Sequence, residues 1–368
     1  MRACCIIGDG KVIESGSIIN VQTGDYFEGS FPSNEIIKAD DPSLIIEYSN
    51  SSPFLIEFPP KIKIKKISVG AGHCLALSTW GECFSWGEND FGQLGLGKET
   101  NEIIGNPTKI KFDIYESDGH KFITDQKPLF YDIATGNYSS LSLGIFNNKQ
   151  ILYFFGNGAG ILNDDSTKII QSIYPKPIIG LENITKITAK FNSIGIFCFD
   201  KEKNLNILYI HGTQKFGIDA GIGMFNKPKP IIVNYFRDNN INVLDVSFSI
   251  TCMCVIGKNM NNGKNEVYLR GELCKRLFGF KEYKIKFMKL DTNWSENVVA
   301  VSPQEKVMFL LLNNGIVKKL WFDGKKLCEK DFKIDGYDLS DLIMDDVEKI
   351  KFYSFFDENF VVYYQQKE

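Results

Sequence analysis

Histidine is scarce in this chain: His73, His120 and His211 are the only three among 368 residues. Acid–base catalysis at neutral pH and zinc chemistry both lean on imidazole, so the chain has little material for either. Nine cysteines are present, yet no two are spaced C-x-x-C. Cys252 and Cys254 would share a strand face, but no second pair offers the remaining ligands of a zinc site, and no metal is expected. A G-x-S-x-G nucleophile elbow is absent, and no Ser-His-Asp or Cys-His arrangement follows from spacing. The longest apolar runs, such as Val307–Leu312, are far too short to cross a membrane. Basic excess is missing as well: 42 Lys and Arg stand against 45 Asp and Glu, for a net charge of -3. Gripping nucleic acid takes many cations on phosphates, so direct binding is not expected. The stretch MRACCIIGDG does not read as a secretion signal, so a nuclear or cytoplasmic protein is expected rather than a secreted one.

What the chain does have is aromatic and apolar residues, 43% hydrophobic with 29 Phe and 15 Tyr, a composition that favours strands and a large core. Ile67 to Gly97 reads ISVGAGHCLALSTWGECFSWGENDFGQLGLG. Two runs of alternating side chains, around Leu75–Leu77 and Cys83–Trp86, flank a Trp80-Gly81 turn and form a hairpin. Scattered glycines then shape a looping exit.

Weaker copies recur at 3–16, 133–162, 187–217, 246–271 and 298–321, and 350–364 supplies opening strands. Gly16, Gly87, Gly156, Gly212 and Gly271 are 71, 69, 56 and 59 residues apart. That period suits four short strands and their loops, the size of a propeller blade. The expected fold is all-β: a closed β-propeller of four-stranded antiparallel blades, seven of them, with six as the alternative. Residues 1–368 form a single domain, in which strands within 3–16 and 347–364 close the ring and hide two sheet edges. Segments 17–64 and 98–129 are read as insertions, Lys61–Lys66 as strand with one wet face, and Asp338–Lys349 as the only helix, capped by Asp.

GAGHCLALSTWGECFSWGENDFGQLGLG resembles the repeat of the regulator of chromosome condensation family, whose members fold as seven-bladed propellers. Gly72, His73, Trp86, Gly87, Gln93 and Gly95 carry the resemblance. In other copies Tyr138 or Asn192 stands for His73, and Phe155, His211, Arg270 or Leu320 for Trp86. The resemblance implies a protein-interaction scaffold, or alternatively nucleotide exchange on a Ran-like small GTPase through a propeller face and a projecting wedge. Segments 17–64, 98–129 and 219–242 are long enough to be that wedge.

GQLGLGK at 92–98 has the spacing of a phosphate-binding loop, but Glu99 replaces the required Ser or Thr and no helix pattern follows. The chain is therefore read as non-enzymatic and cofactor-free, a monomer whose loops bind a protein. The partner-contact candidates are Asn89, Asp90, Asp118, His120, Asp125, Asp164 and Asp165.

Overall fold

The computed structural model describes residues 2–7, 10–17, 49–97, 100–112, 114–115, 121–122, 128–158, 171–212, 230–250, 252–277, 287–292, 297–304, 306–314, 316–333, 350–354 and 360–364. The helix expected at 338–349 lies outside them. The chain divides into two compact units, 1–163 with 167–180, and 164–166 with 181–368.

In the first unit β1 (Arg2–Ile7), β2 (Lys11–Ser17) and β3 (Ser49–Ile56) form a three-stranded antiparallel sheet. A four-stranded sheet follows from β4 (Ile64–Val69), β5 (His73–Ser78), β6 (Cys83–Asn89) and β7 (Thr100–Lys109). A small hairpin, β8 (Ile114–Tyr115) with β9 (Lys121–Phe122), precedes the next four-stranded sheet: β10 (Leu129–Thr135), β11 (Ser139–Phe146), β12 (Lys149–Asn157) and β13 (Gln171–Ile178). The two segments read as insertions thus supply blade-forming strands. Residues 49–56 escape the reading because their first half is polar, and β7 because it carries a proline. Pro107 in β7 and Pro175 and Pro177 in β13 sit on outer edge strands, where a missing N–H costs no ladder bond and discourages further pairing. The strand expected from Lys61 begins only at Ile64, because Lys61 takes φ 70° in the preceding turn.

The second unit holds three four-stranded sheets. The first is β14 (Ile184–Lys190), β15 (Ser193–Asp200), β16 (Leu205–Gly212) and β17 (Ile231–Ile232). The short helix α1 (Asn234–Asp238) leads into β18 (Ile241–Phe248), β19 (Cys252–Asn259) and β20 (Asn265–Gly271); helix α2 (Glu272–Leu277) follows, and β21 (Met288–Leu290) completes that sheet. The last is β22 (Val298–Pro303), β23 (Val307–Leu312), β24 (Ile316–Phe322) and β25 (Leu327–Lys333), and a hairpin of β26 (Ile350–Ser354) and β27 (Phe360–Tyr364) comes after it. The two short helices correct the expectation of one helix: five and six residues leave no room for helical periodicity.

Register turns the repeat into geometry. Gly87, Gly156, Gly212 and Gly271 have φ of 109°, 97°, 133° and 119°, and each faces the first residue of the preceding strand: His73, Ser139, Ser193 and Cys252. Only glycine takes that conformation readily, which is why it persists where the side chains around it change. The Trp86 position is held by Phe155, His211, Arg270 and Leu320 as expected. His73, by contrast, corresponds to Ser139 and Ser193, one residue beyond the expected Tyr138 and Asn192.

The cores lie between neighbouring sheets. Val12 and Ile56 pack with Cys74, Ala76, Phe84 and Trp86, while Leu75 and Leu77 meet Phe130, Ile133, Tyr153 and Phe155. In the second unit Cys252, Cys254 and Leu269 join Met308, Leu310 and Leu320. Glu266, 5% exposed, closes the β19–β20 hairpin. Its carboxylate accepts from Lys289 Nζ at 2.7 Å, Asn259 Nδ2 at 3.1 Å, Asn262 Nδ2 at 3.3 Å and the Tyr268 hydroxyl. Burial alone would raise this carboxyl, but the four donors outweigh it and hold it at about 2. A depressed folded pKa means its stabilisation is complete above the ordinary 4.5 and is lost as pH falls from there towards 2. Glu266→Gln should lower stability at neutral pH by about 2 kcal/mol in urea melts and flatten acid sensitivity in that window; an unchanged acid limb would contradict this role.

Candidate functional site

In the first unit the β5–β6 and β11–β12 turns lie at one end of the sheets, and the exit loops, together with the β4–β5 and β10–β11 turns, lie at the other. The best-formed exit loop, Asn89 to Gly97, is wound on its own polar groups. Asn89 Oδ1 accepts from Leu94 N at 3.0 Å, Gln93 Oε1 from Phe91 N at 2.9 Å, and Leu94 O from Ser85 Oγ at 2.8 Å. Gly95, at φ 67°, rests on the next sheet: a Cβ there would lie 2.8 Å from the Phe155 ring. Gly97 N donates to Ile173 O at 2.9 Å, tying the loop to β13.

The seam continues below the loop. Ser140 Oγ donates to Gln93 O at 2.7 Å and lies 2.9 Å from His73 Nε2. A carbonyl can only accept, so the single hydroxyl proton of Ser140 is committed to Gln93 and His73 Nε2–H is the donor to Ser140. That polarity is the reverse of a histidine activating a serine nucleophile. Both side chains are fully buried, as their cross-sheet role requires. On the other side Trp86 Nε1 donates to Glu14 Oε2 at 2.8 Å, and Ser68 and Thr135 hydroxyls meet at 2.8 Å. A Cβ at Gly72 would fall 2.0 Å from the Glu88 carboxyl carbon, so that glycine makes room for the carboxylate.

Two ion pairs escape the sequence reading. Lys66 binds Asp132, and Lys186 Nζ lies 2.6 Å from Asp245 Oδ1. Each of the four residues follows a bulge in the first strand of its sheet, as does Ala300. A bulge re-aims the next side chain, here towards the adjacent sheet. The signal was present: each stands seven residues before His73, Ser139, Ser193, Cys252 or Val307. Glu14 escaped for want of alternation around it.

The six repeat residues Gly72, His73, Trp86, Gly87, Gln93 and Gly95 therefore converge in buried seams. Of the partner candidates, Asn89 is wholly buried and braces the loop, which corrects its placement as a contact residue. Asp90 beside it is exposed, and partial desolvation raises its carboxyl above the ordinary range. Phe91 stacks on the exposed Tyr138 with ring centroids 4.9 Å apart, and Tyr174, 41% exposed, flanks the far side of the loop. Asp118, His120, Asp125, Asp164 and Asp165 lie outside the described residues. The phosphate-loop spacing at 92–98 leads into strand β7 and not a helix, so the helix N-terminus of such a site is missing. Burial pushes the Cys83 thiol up to about 12, and Cys252 and Cys254 lie 3.8 Å apart within an apolar core. Among the described residues no group of three or more His, Cys, Asp or Glu is placed to hold a metal, and no helix is long and apolar enough to cross a membrane.

Repeated antiparallel sheets with polar seams and glycine-rich exit loops define a repeat protein of the blade-forming class. Residues 64–93 and 81–123 match models of the regulator of chromosome condensation (RCC1) repeat, so this stretch of the chain is RCC1-like repeat sequence. It is 34% identical over 107 residues to the ultraviolet-B receptor UVR8 of Arabidopsis thaliana, covering 26% of this chain and 24% of the receptor. An RCC1 domain-containing protein of Dictyostelium discoideum is 32% identical over 182 residues, 46% of this chain and 35% of that one. A bifunctional kinase and NEDD4-like E3 ubiquitin ligase of the same organism is 27% identical over 205 residues, 51% of this chain and 10% of that protein. The chain thus spans between 10% and 35% of the length of these curated relatives. Among solved structures, yeast RCC1 (Prp20) bound to Kap60 matches with a TM-score of 0.60 at 16% identity, over 88% of this chain and 68% of that one. Human WBSCR16 matches at 0.57 and 16% identity, over 84% and 69%. These likenesses show the fold.

Gly95→Ala should unseat the exit loop and destabilise the protein by about 2 kcal/mol in thermal or urea melts. Gly105→Ala, where an added Cβ meets nothing within 4 Å, should change stability by less than about 1 kcal/mol. Equal effects would refute the seating role of Gly95.

Proposed function

We propose that the chain is a non-catalytic protein-interaction scaffold of the RCC1 type, a closed propeller whose loop rims hold a protein partner. Seven blades are favoured over six. Five four-stranded sheets stand beside the three-stranded β1–β3 sheet and the β26–β27 hairpin, whose five strands exceed one blade. The observation that carries the function is the contrast at the loop end. The repeat's polar residues are consumed in buried seams, while Asp90 on the exit loop, Tyr138 in the β10–β11 turn and Tyr174 on β13 stand exposed around it. Exposed aromatics and a carboxylate on a preorganised backbone suit protein recognition at low entropic cost. Asp118, His120, Asp125, Asp164 and Asp165 belong to the same proposal as further loop contacts.

The second reading is guanine-nucleotide exchange on a Ran-like GTPase. It is favoured by the fold likeness to Prp20 of Saccharomyces cerevisiae, a protein whose structure was described together with its binding to Gsp1p and histones. Catalytic amounts of this chain mixed with a GDP-loaded Ran-type GTPase decide between the two. The scaffold reading expects fluorescent-nucleotide release at the intrinsic rate; acceleration would replace it with the exchange reading.

A further inference from the structure

The sequence holds three Asn-Gly dipeptides, beginning at Asn157, Asn262 and Asn314. At such a pair the glycine nitrogen, with no Cβ to shield it, can reach the side-chain carbonyl carbon of the asparagine before it. The fold treats the pairs differently. Asn157 ends strand β12, where it pairs with Gln171, and a Cβ at Gly158 would run into the Phe154 ring. The glycine after Asn314 lies outside the described residues. Asn262 and Gly263 are both exposed at the tip of the β19–β20 hairpin. Gly263 takes φ 74° there, and a Cβ on it would meet nothing within 4 Å, so a ring has room to close across the two residues.

Two hydrogen bonds hold the tip shut. Gly263 N donates to Asn259 O at 2.8 Å, and Lys264 N donates to Asn262 Oδ1 at 2.9 Å. Both lie at an exposed hairpin end, where local opening costs far less than global unfolding and frees the Gly263 nitrogen. The neighbour of the tip gives this chemistry a consequence. Asn262 Nδ2 donates to Glu266 Oε1 at 3.3 Å and is one of the donors that keep this buried carboxylate charged.

We propose that Asn262 is a self-modification site, at which deamidation plants a second carboxylate beside Glu266 and loosens the β19–β20 hairpin. Gly263 N gives up its proton to hydroxide and attacks Asn262 Cγ. The Cγ–Nδ2 bond breaks, Nδ2 leaves as ammonia, and a cyclic imide closes. Water then opens the imide at either carbonyl, leaving an aspartate or an isoaspartate. The net change is water consumed and ammonia released, with no oxidant, reductant or cofactor. Either product carries a carboxylate that only accepts, so Glu266 loses a donor and gains a like charge. The isoaspartate also lengthens the main chain at the tip, against the closure of Gly263 N on Asn259 O.

Nothing in this chemistry depends on the scaffold reading. The test holds the full chain at mildly alkaline pH, which speeds loss of the Gly263 proton, and follows each Asn-Gly pair by peptide mass mapping with an isoaspartate assay. In the folded chain Asn262 should convert well ahead of Asn157. In guanidinium chloride, where the fold no longer separates them, the two should convert alike. Asn262→Asp, which installs the product directly, should lower the melting temperature by a few degrees, and that loss should disappear in a Glu266→Gln background. An Asn262 that stays intact, or converts no faster than Asn157 in the folded chain, overturns the site. A melting temperature untouched by Asn262→Asp, or a loss of the same size with Glu266→Gln, overturns its action on Glu266.

Discussion

A sheet can be added to its neighbour only if both know the register, and here one proton chain supplies it. His73 donates to Ser140, and Ser140 to the Gln93 carbonyl, joining the second strand of one sheet, the second strand of the next and the exit loop between them. Apolar burial supplies most of the adhesion across that seam, but it is indifferent to sliding. A buried directional chain is not: a shift of one residue would leave its members without partners in a medium where that costs most. Gly87 and Gly95 serve the same constraint from the backbone side, the first by its positive φ opposite His73, the second by letting the loop rest on Phe155.

Once the seams take the repeat's polar residues, the exposed chemistry is left to the ends of the sheets. In the first unit those ends differ in chemistry. The loop rim exposes Asp90 with Tyr138 and Tyr174; the opposite rim exposes Trp80, Leu129 and Ile145.

Much of the fold was legible because strand alternation and glycine conformation are local. The Gly87, Gly156, Gly212 and Gly271 series and the residues at the Trp86 position could be placed by spacing alone. The His73 series slipped by one residue, since serine at Ser139 and Ser193 looks nothing like histidine although register makes them equivalent. Strands β3 and β7 were hidden by polar and proline-rich sequence on edges, and α1 and α2 by their brevity. The candidate site was less legible. Asn89 looked like a loop surface residue, but the loop folds inward around it. Lys66, Asp132, Lys186 and Asp245 form a seven-residue spacing relation that matters only once a bulge turns them towards the next sheet.

The claim that the repeat's histidine is a seam residue, acting through Ser140, is tested most directly by a double-mutant cycle in urea with His73→Ala, Ser140→Ala and the double variant. A coupling energy of about 1 kcal/mol or more is expected, since the two groups share one buried network. Additive effects, within about 0.5 kcal/mol, would contradict it.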